Sequence, residues 1–455
     1  MFKTRQLLSL LLITNLATAF DLSTAYQNAL SYNSDYLANI AKNKAGQENV
    51  VQGRSQLLPQ ISAGGNISEN YLSTEGAYMY YNQPSLSVQL QQVVYDFGKF
   101  SGYTKSKFAT EVTDLQLIRA QQKLIIDVAQ AYFDVLYAID TLNTIQATEK
   151  SFNQQFTQAS KSFNAGTVTV TDVNDAKSGL DSAHADSIRA QNELINKKNI
   201  FHNLTGLDPE QIQPIIPNII LVNPVPNDTN NWVKIARMNN INIKIANLQM
   251  KMADQDINIA YAGHLPSFYL SGGYQNIGNA NVNGSNQQAQ QSLITESNIP
   301  GVIGSSYVAA SAAVTVNLPI YSGGLVSSQV RQAKSNYLAS QNQLLSVERE
   351  TEQNIKNQFF SMQNGVNIVK ARMQAMKSAL LKLKSDQLGY KVGVRNSVDL
   401  VGAEKNYYKS IQDYNQARYQ YLLDSLNLNY TAGNIDTKVL AQINANIALL
   451  KNEKI

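Results

Sequence analysis

The sequence predicts an α+β membrane protein. Each chain supplies four strands to a shared β-barrel, and long antiparallel coiled-coil helices continue it. Three observations predict this class. Four stretches alternate apolar and polar residues with period two, each about as long as the 9–11 residues a tilted membrane strand needs. Two stretches, 99–163 and 325–390, keep helical spacing without a proline. The second half of the chain also repeats the first. Gly393 follows Gly166, Asp399 follows Asp172 and Gly433 follows Gly206 by the same 227 residues (393 − 166, 399 − 172, 433 − 206). A register that constant marks a tandem internal duplication.

Residues 1–19 read as a secretory signal peptide. Lys3 and Arg5 give a basic start, residues 7–16 an apolar run, and Ala17-Thr18-Ala19 a small-residue cleavage site. The net charge is only +4, and two of the cations lie in that leader. No basic stripe is left for a nucleic acid partner. No stretch reaches the roughly 18 apolar residues of a membrane-spanning helix. Cysteine is absent, which excludes a disulfide framework and a cysteine-linked lipid. The fold itself must then hold the chain in a membrane.

The first repeat occupies 20–206. Leu22, Ala25, Ala29 and Leu30 share one helix face, so 21–57 is a helix that Leu58-Pro59 ends. Ile61, Ala63, Gly65 and Ile67 alternate with Ser62, Asn66 and Ser68, giving a strand over 60–71. A polar loop with Tyr78, Tyr80 and Tyr81 leads to a second strand, 85–94, where Leu86, Val88 and Leu90 face away from Ser87, Gln89 and Gln91. Alternation alone suits a half-buried soluble hairpin as well as a membrane one. The long helix 99–163 follows, with Ile118, Ile125, Tyr132 and Ile139 spaced by seven as in a coiled-coil seam. It would be roughly 100 Å long, too long for a globular core. Its return helix, 172–206, is half that length, so 21–57 and 172–206 must stack end to end along it.

Residues 207–231 hold five of the ten prolines and form the linker. The second repeat, 232–433, has the same plan: helix 232–264 ended by Leu265-Pro266, strands 267–276 and 307–318, long helix 325–390 and return helix 399–433. Residues 434–455 form a short amphipathic appendage.

Four strands cannot close, and an open sheet edge is not viable in lipid. Closure takes about eight strands or more, so several chains must share one barrel, and three chains would give twelve strands. The helix pairs would continue its wall into water as a tube, which explains helices with an apolar seam and a Gln-, Asn- and Ser-rich face.

The motifs now in hand resemble those of TolC-type outer-membrane efflux proteins across nearly the whole mature length. They are Leu22-x-x-Ala25, the two Leu-Pro strand starts, Val94-Tyr95-Asp96-Phe97-Gly98 with Leu318-Pro319-Ile320-Tyr321-Ser322-Gly323-Gly324, the two glycine turns and the closing Leu204-Thr205-Gly206. The resemblance implies a homotrimer with a twelve-stranded barrel in outer-membrane lipid and a helical periplasmic tunnel. It implies coupling to a periplasmic adaptor and an inner-membrane transporter, for drug efflux or type I secretion. Without cysteine the chain is similar to the unlipidated branch.

The candidate functional residues lie at the two helix turns. By position in the family, Asp172 bonds Tyr390, Arg395 reaches Thr171 or Asp172 of an adjacent copy, and Asp399 forms an acidic constriction of the periplasmic gate. The family's second acid, three residues on, is replaced by Gly402, leaving a single acidic ring. Asp172 and Asp399 also suit helix N-caps. Gly166, Thr167, Gly393 and Val394 form the exposed turns expected to dock the adaptor. No phosphate-binding loop, catalytic triad or metal-ligand spacing is present; His184, His202 and His264 are scattered. No enzyme activity and no cofactor are expected. The competing reading is a secreted structural or adhesive trimeric coiled coil without a pore.

Overall fold

The computed structural model describes residues 19–74, 77–216, 219–278, 281–284 and 306–448. The predicted leader lies outside the described residues except for Ala19, as do most of the loop between the second repeat's strands and the end of the appendage. The chain divides into two compact units. One takes residues up to Ala41, Gln116–Lys244 and Val347 onward; the other takes Lys42–Leu115 and Ile245–Ser346.

The second of these units carries the sheet. Its strands are β1 (Gln60–Thr74), β2 (Ala77–Tyr95), β3 (Ser267–Ile277), β4 (Asn281–Gly284) and β5 (Tyr307–Asn317). The order is β1-β2-β3-β5, all antiparallel, with β4 on the first half of β2. The register puts apolar residues in continuous rows across the strands. Ala63 lies opposite Val88, Val88 opposite Tyr274, and Tyr274 opposite Ala310. The next row over matches Ser62, Gln89, Gly273 and Ser311. Since neighbouring rows point to opposite faces, one face is apolar and the other polar. The apolar face is bare: Ile61 is 73% exposed and Val314 68%.

The first hairpin is longer than the two strands expected at 60–71 and 85–94, running on to Thr74 paired with Ala77. The segment expected as a loop is part of the ladder. Beyond Ile67 and Pro84 the alternation of apolar residues stops, so the sequence signal fades, yet backbone hydrogen bonds and cross-strand rings continue. Tyr71 and Tyr80 pack with centroids 4.8 Å apart.

The helices are α1 (Leu22–Tyr32), α2 (Ser34–Ser55), α3 (Phe97–Asn164), α4 (Val170–Thr205), α5 (Thr229–Asn239), α6 (Ile241–Tyr261), α7 (Leu325–Lys391), α8 (Ser397–Ala432) and α9 (Thr437–Ala448). The single helices expected at 21–57 and 232–264 are each broken once. The Asn33 side chain accepts from Tyr36 N–H at 2.8 Å, and that of Asn240 from Asn242 N–H at 2.9 Å, each starting a new helix. Asparagine competes with the helix for backbone donors. The break is itself duplicated: Asn240 follows Asn33 by 207 residues (240 − 33), as Leu265 follows Leu58 (265 − 58).

Shorter helices partner each long one. Along α3, α2 makes contact through Thr110, which donates to Gly46 O at 3.2 Å. Next, α1 is reached by the Gln121 amide on the Tyr26 hydroxyl at 3.3 Å. Further on, α4 places Lys197 on Asp134 at 3.1 Å and His184 on Glu149 at 2.7 Å. Along α7, α5 places Arg237 on Glu352 at 2.8 Å, and α8 places Asp413 on Arg372 at 3.0 Å. The heptad seam is buried at Ile125, Tyr132 and Leu136, but Ile118 is exposed. A strict seven-residue repeat drifts around a straight helix by about 20° per heptad.

The main core lies in the first unit. Phe201 of α4 stacks on Phe20 with centroids 5.8 Å apart and meets Tyr132 edge-on. Leu22, Trp232, Ile355, Leu426 and Leu440 complete the same cluster. The segment expected as an appendage enters it through α9: Leu440, Ile443 and Ile447 are buried, and the Asn444 side chain donates to Asp21 and accepts from Leu22 N–H.

Candidate functional site

Each long helix ends in the same turn. After α3, Gly166 adopts φ +73°; after α7, Gly393 adopts φ +77°. Nothing lies within 4 Å of a Cβ built at either position, so the left-handed backbone, not space, requires glycine. Thr167 N–H donates to Ser162 O at 2.9 Å and Gly166 N–H to Phe163 O at 2.9 Å. Val394 N–H donates to Gly389 O at 2.8 Å and Gly393 N–H to Tyr390 O at 3.1 Å. Both are Schellman closures, which satisfy the last carbonyls of the helix and reverse the chain in a few residues. Thr167 also donates its hydroxyl to Ser162 O at 2.9 Å.

The returning helices start two residues earlier than expected, at Val170 and Ser397, and their caps are different residues. Thr169 caps α4 and Asn396 caps α8. Asp172 and Asp399 sit three residues in, at N3, so they are not the N-caps. The short Thr and Asn side chains at 169 and 396 reach the N3 amides first: Asn396 Oδ1 accepts from Asp399 N–H at 2.8 Å. Asp172 completes a capping box, its Oδ2 accepting from Thr169 N–H at 2.9 Å and from the Thr169 hydroxyl at 2.8 Å. A carboxylate in the first turn also complements the helix dipole.

The structure brings Tyr390 and Asp172 together across the two helix pairs. Burial, and then the negative charge of Asp172, raise the Tyr390 hydroxyl above its ordinary range. Neither hydrogen-bonds the other, because Asp172 is engaged in its own cap. Arg395 is held within its own chain: Nε lies 3.6 Å from Asp386 Oδ1 and Nη1 3.5 Å from Asp399 Oδ2. Asp386 is buried and is also paired with Lys382. Thr171 is exposed, as are Gly166, Thr167, Gly393 and Val394. Val392, Val394, Val170 and Val398 add large exposed apolar side chains at the turns.

Two features escaped the sequence reading. The Lys382–Asp386–Arg395 chain had only an i, i+4 charge pair as its signal. Glu404 had a clearer one, an acid within the apolar stripe Leu400, Ala403, Tyr407 of α8. It is 2% exposed, and its Oε1 accepts from the Ser151 hydroxyl of α3 at 2.9 Å. Among the described residues no group of three His, Cys, Asp or Glu is placed to hold a metal.

The profile of the family described as "Outer membrane efflux protein" matches residues 25–207 and 232–434, one stretch in each repeat. Outer membrane protein TolC of Escherichia coli (strain K12) is 32% identical over 442 residues, covering 96% of this chain and 87% of that protein. Proteases secretion protein PrtF of Dickeya chrysanthemi is 24% identical over 443 residues, covering 94% of this chain and 91% of that protein. Among solved structures, the outer membrane protein VceC of Vibrio cholerae matches with TM-score 0.74 at 18% identity, over 90% of this chain and 96% of that one. The CmeC outer membrane channel of Campylobacter jejuni matches with TM-score 0.76 at 16% identity, over 94% and 90%. Such identities speak for the fold; the profile and the E. coli relative speak for kinship. With duplicated sheet, paired rods and twin glycine turns in place, the chain belongs to the outer membrane efflux protein family.

Proposed function

We propose that three copies of this outer-membrane channel protein form one passive exit duct. Their strands make a twelve-stranded barrel in outer-membrane lipid, and their helix pairs make a tunnel in the periplasm. A periplasmic adaptor joins the tunnel to an inner-membrane transporter, which supplies the energy; the duct catalyses no reaction. The observation that carries this reading is the sheet. Its apolar face is bare, and β1 and β5 are its outer strands, each with one side left unpaired by the described residues. Lipid tolerates the bare face but not the open edges, so other copies must pair them. The named relatives extend the reading to cargo: efflux, type I secretion of proteins, or both.

The turns act as the periplasmic gate in this assembly. Three copies of Asp399 ring the entrance, where clustered carboxylates attract cations. Thr171, Asp172, Tyr390 and Arg395 tie neighbouring helix pairs together, and the exposed turns at Gly166, Thr167, Gly393 and Val394 receive the adaptor. Asp399→Ala, which removes the ring and its ion pair to Arg395, and Arg395→Ser, which removes the tie, are each expected to raise single-channel conductance in planar bilayers. Unchanged conductance in both variants would remove the gate from these residues.

A further inference from the structure

Eleven residues beyond the α7–α8 turn (404 − 393), one acid is buried between the two helix pairs. Glu404 of α8 is 2% exposed, the most deeply covered charged-type side chain of the chain's described residues. Among the described residues it forms no ion pair, and no cation acts on it. Its Oε1 accepts from Ser151 of α3 at 2.9 Å, while Oε2 and the Gln155 Nε2 of α3 are buried without a hydrogen-bond partner. The groups acting on it are Ser151 and Gln155 from α3 and Gln387 from α7, with Tyr408 one turn along α8. Only Tyr408 among these titrates, and it titrates far above neutrality.

A bare carboxylate in such a place is costly, and the group responds by holding its proton. Burial raises the Glu404 carboxyl above the usual carboxylate range, against smaller opposing pulls from Ser151, Gln155 and Gln387. The acid also lies two residues beyond Gly402, where the family pattern carries its second gate acid. Its neighbours along α8, Leu400 and Ala403, form a small buried cluster with Leu383 of α7, against which Tyr390 and Tyr407 are half-buried. Tyr390, placed at the gate above, therefore belongs to the same small cluster.

We propose that Glu404 is a positioning residue of the gate, a protonated latch that ties α8 to α3 in the closed channel and releases the tie when it ionises. The inference rests on the gate reading given above. In the closed arrangement the carboxyl is neutral and accepts from Ser151 through Oε1. After ionisation the carboxylate must reach water, and it can do so only if the α7–α8 pair moves away from α3. The sign follows from the raised position of the group. Closure is favoured at low pH and is lost as pH rises through the shifted range, above the ordinary carboxylate value.

The test is single-channel conductance of the full-length protein in planar bilayers, scanned from about pH 4 to about pH 8, around and above the ordinary glutamate range. Conductance of the unmodified protein is expected to rise with pH. Glu404→Gln keeps the shape and the hydrogen bond but cannot ionise, so it is expected to stay low across the scan. Ser151→Ala removes the donor that opposes burial, so its rise is expected to move to higher pH. A Glu404→Gln profile superimposed on that of the unmodified protein would overturn the latch. Should that variant fail to assemble, an unmoved midpoint in Ser151→Ala would overturn it equally. Absence of any conductance would instead refute the duct itself, so the two failures are distinct.

Discussion

Replacing Val88 by arginine is expected to abolish assembly in the outer membrane, while arginine at the adjacent Gln89 is tolerated. Val88 lies in the middle of an apolar row, with Ala63 on one side and Tyr274 on the other, and its side chain is on the bare face. Gln89 lies in the polar row between Ser62 and Gly273. In a barrel the first faces lipid and the second the water-filled interior. An arginine facing lipid near mid-bilayer costs about 2–4 kcal/mol, and three copies would place three in one barrel. Membrane fractionation with a heat-resistance assay of the oligomer measures the outcome. Equal losses for both variants would mean that the two faces are not lipid and water. A soluble hairpin protein would instead tolerate both, since each side chain is already exposed.

Phe201→Ala is expected to destabilise the helical core by about 3–5 kcal/mol, as large-to-small changes at fully buried aromatic sites do. Phe201 is 0% exposed, stacks on Phe20 and meets the Tyr132 ring edge-on. Few neighbours can collapse into the gap. Tyr132 is fixed by its hydroxyl donating to Gln213 O at 2.8 Å, and Phe20 by a backbone bridge to the linker at Ile212. The matched control is Phe360→Ala on α7, where the ring is half exposed. Its shift should be a small fraction of the first. Unfolding followed by far-UV circular dichroism in denaturant gives both midpoints, and comparable shifts would place the core elsewhere.

Much of this architecture was legible because it repeats. The constant offset between glycine turns and the Leu-Pro strand starts fixed the order of elements, and proline-free spacing fixed the two long helices. Period two located the strands only where one face is apolar. Where the hairpin runs on through Asn70, Asn82 and Gln83, both faces are polar or aromatic and the signal vanishes, although the ladder persists. Asn33 and Asn240 break helices whose apolar periodicity runs straight through them, so only their capping bonds reveal the break. At the turns, the caps lie three residues before the expected aspartates, because Thr169 and Asn396 outcompete Asp172 and Asp399 for the N-cap. The small C-terminal helix gave an amphipathic pattern without saying what its apolar side meets; the answer is the main core. Glu404 was visible as an acid in an apolar stripe, but its meaning depended on Ser151, more than two hundred residues away in sequence (404 − 151).

The central claim is that one chain cannot enclose a pore and three can. Mass measurement of the detergent-purified protein, on the same sample used for bilayer conductance, tests it most directly. Three chain masses, carried by particles that conduct ions, are the result predicted by four strands with two unpaired edges. A single chain mass, in particles that stay soluble without detergent and pass no current, would contradict it.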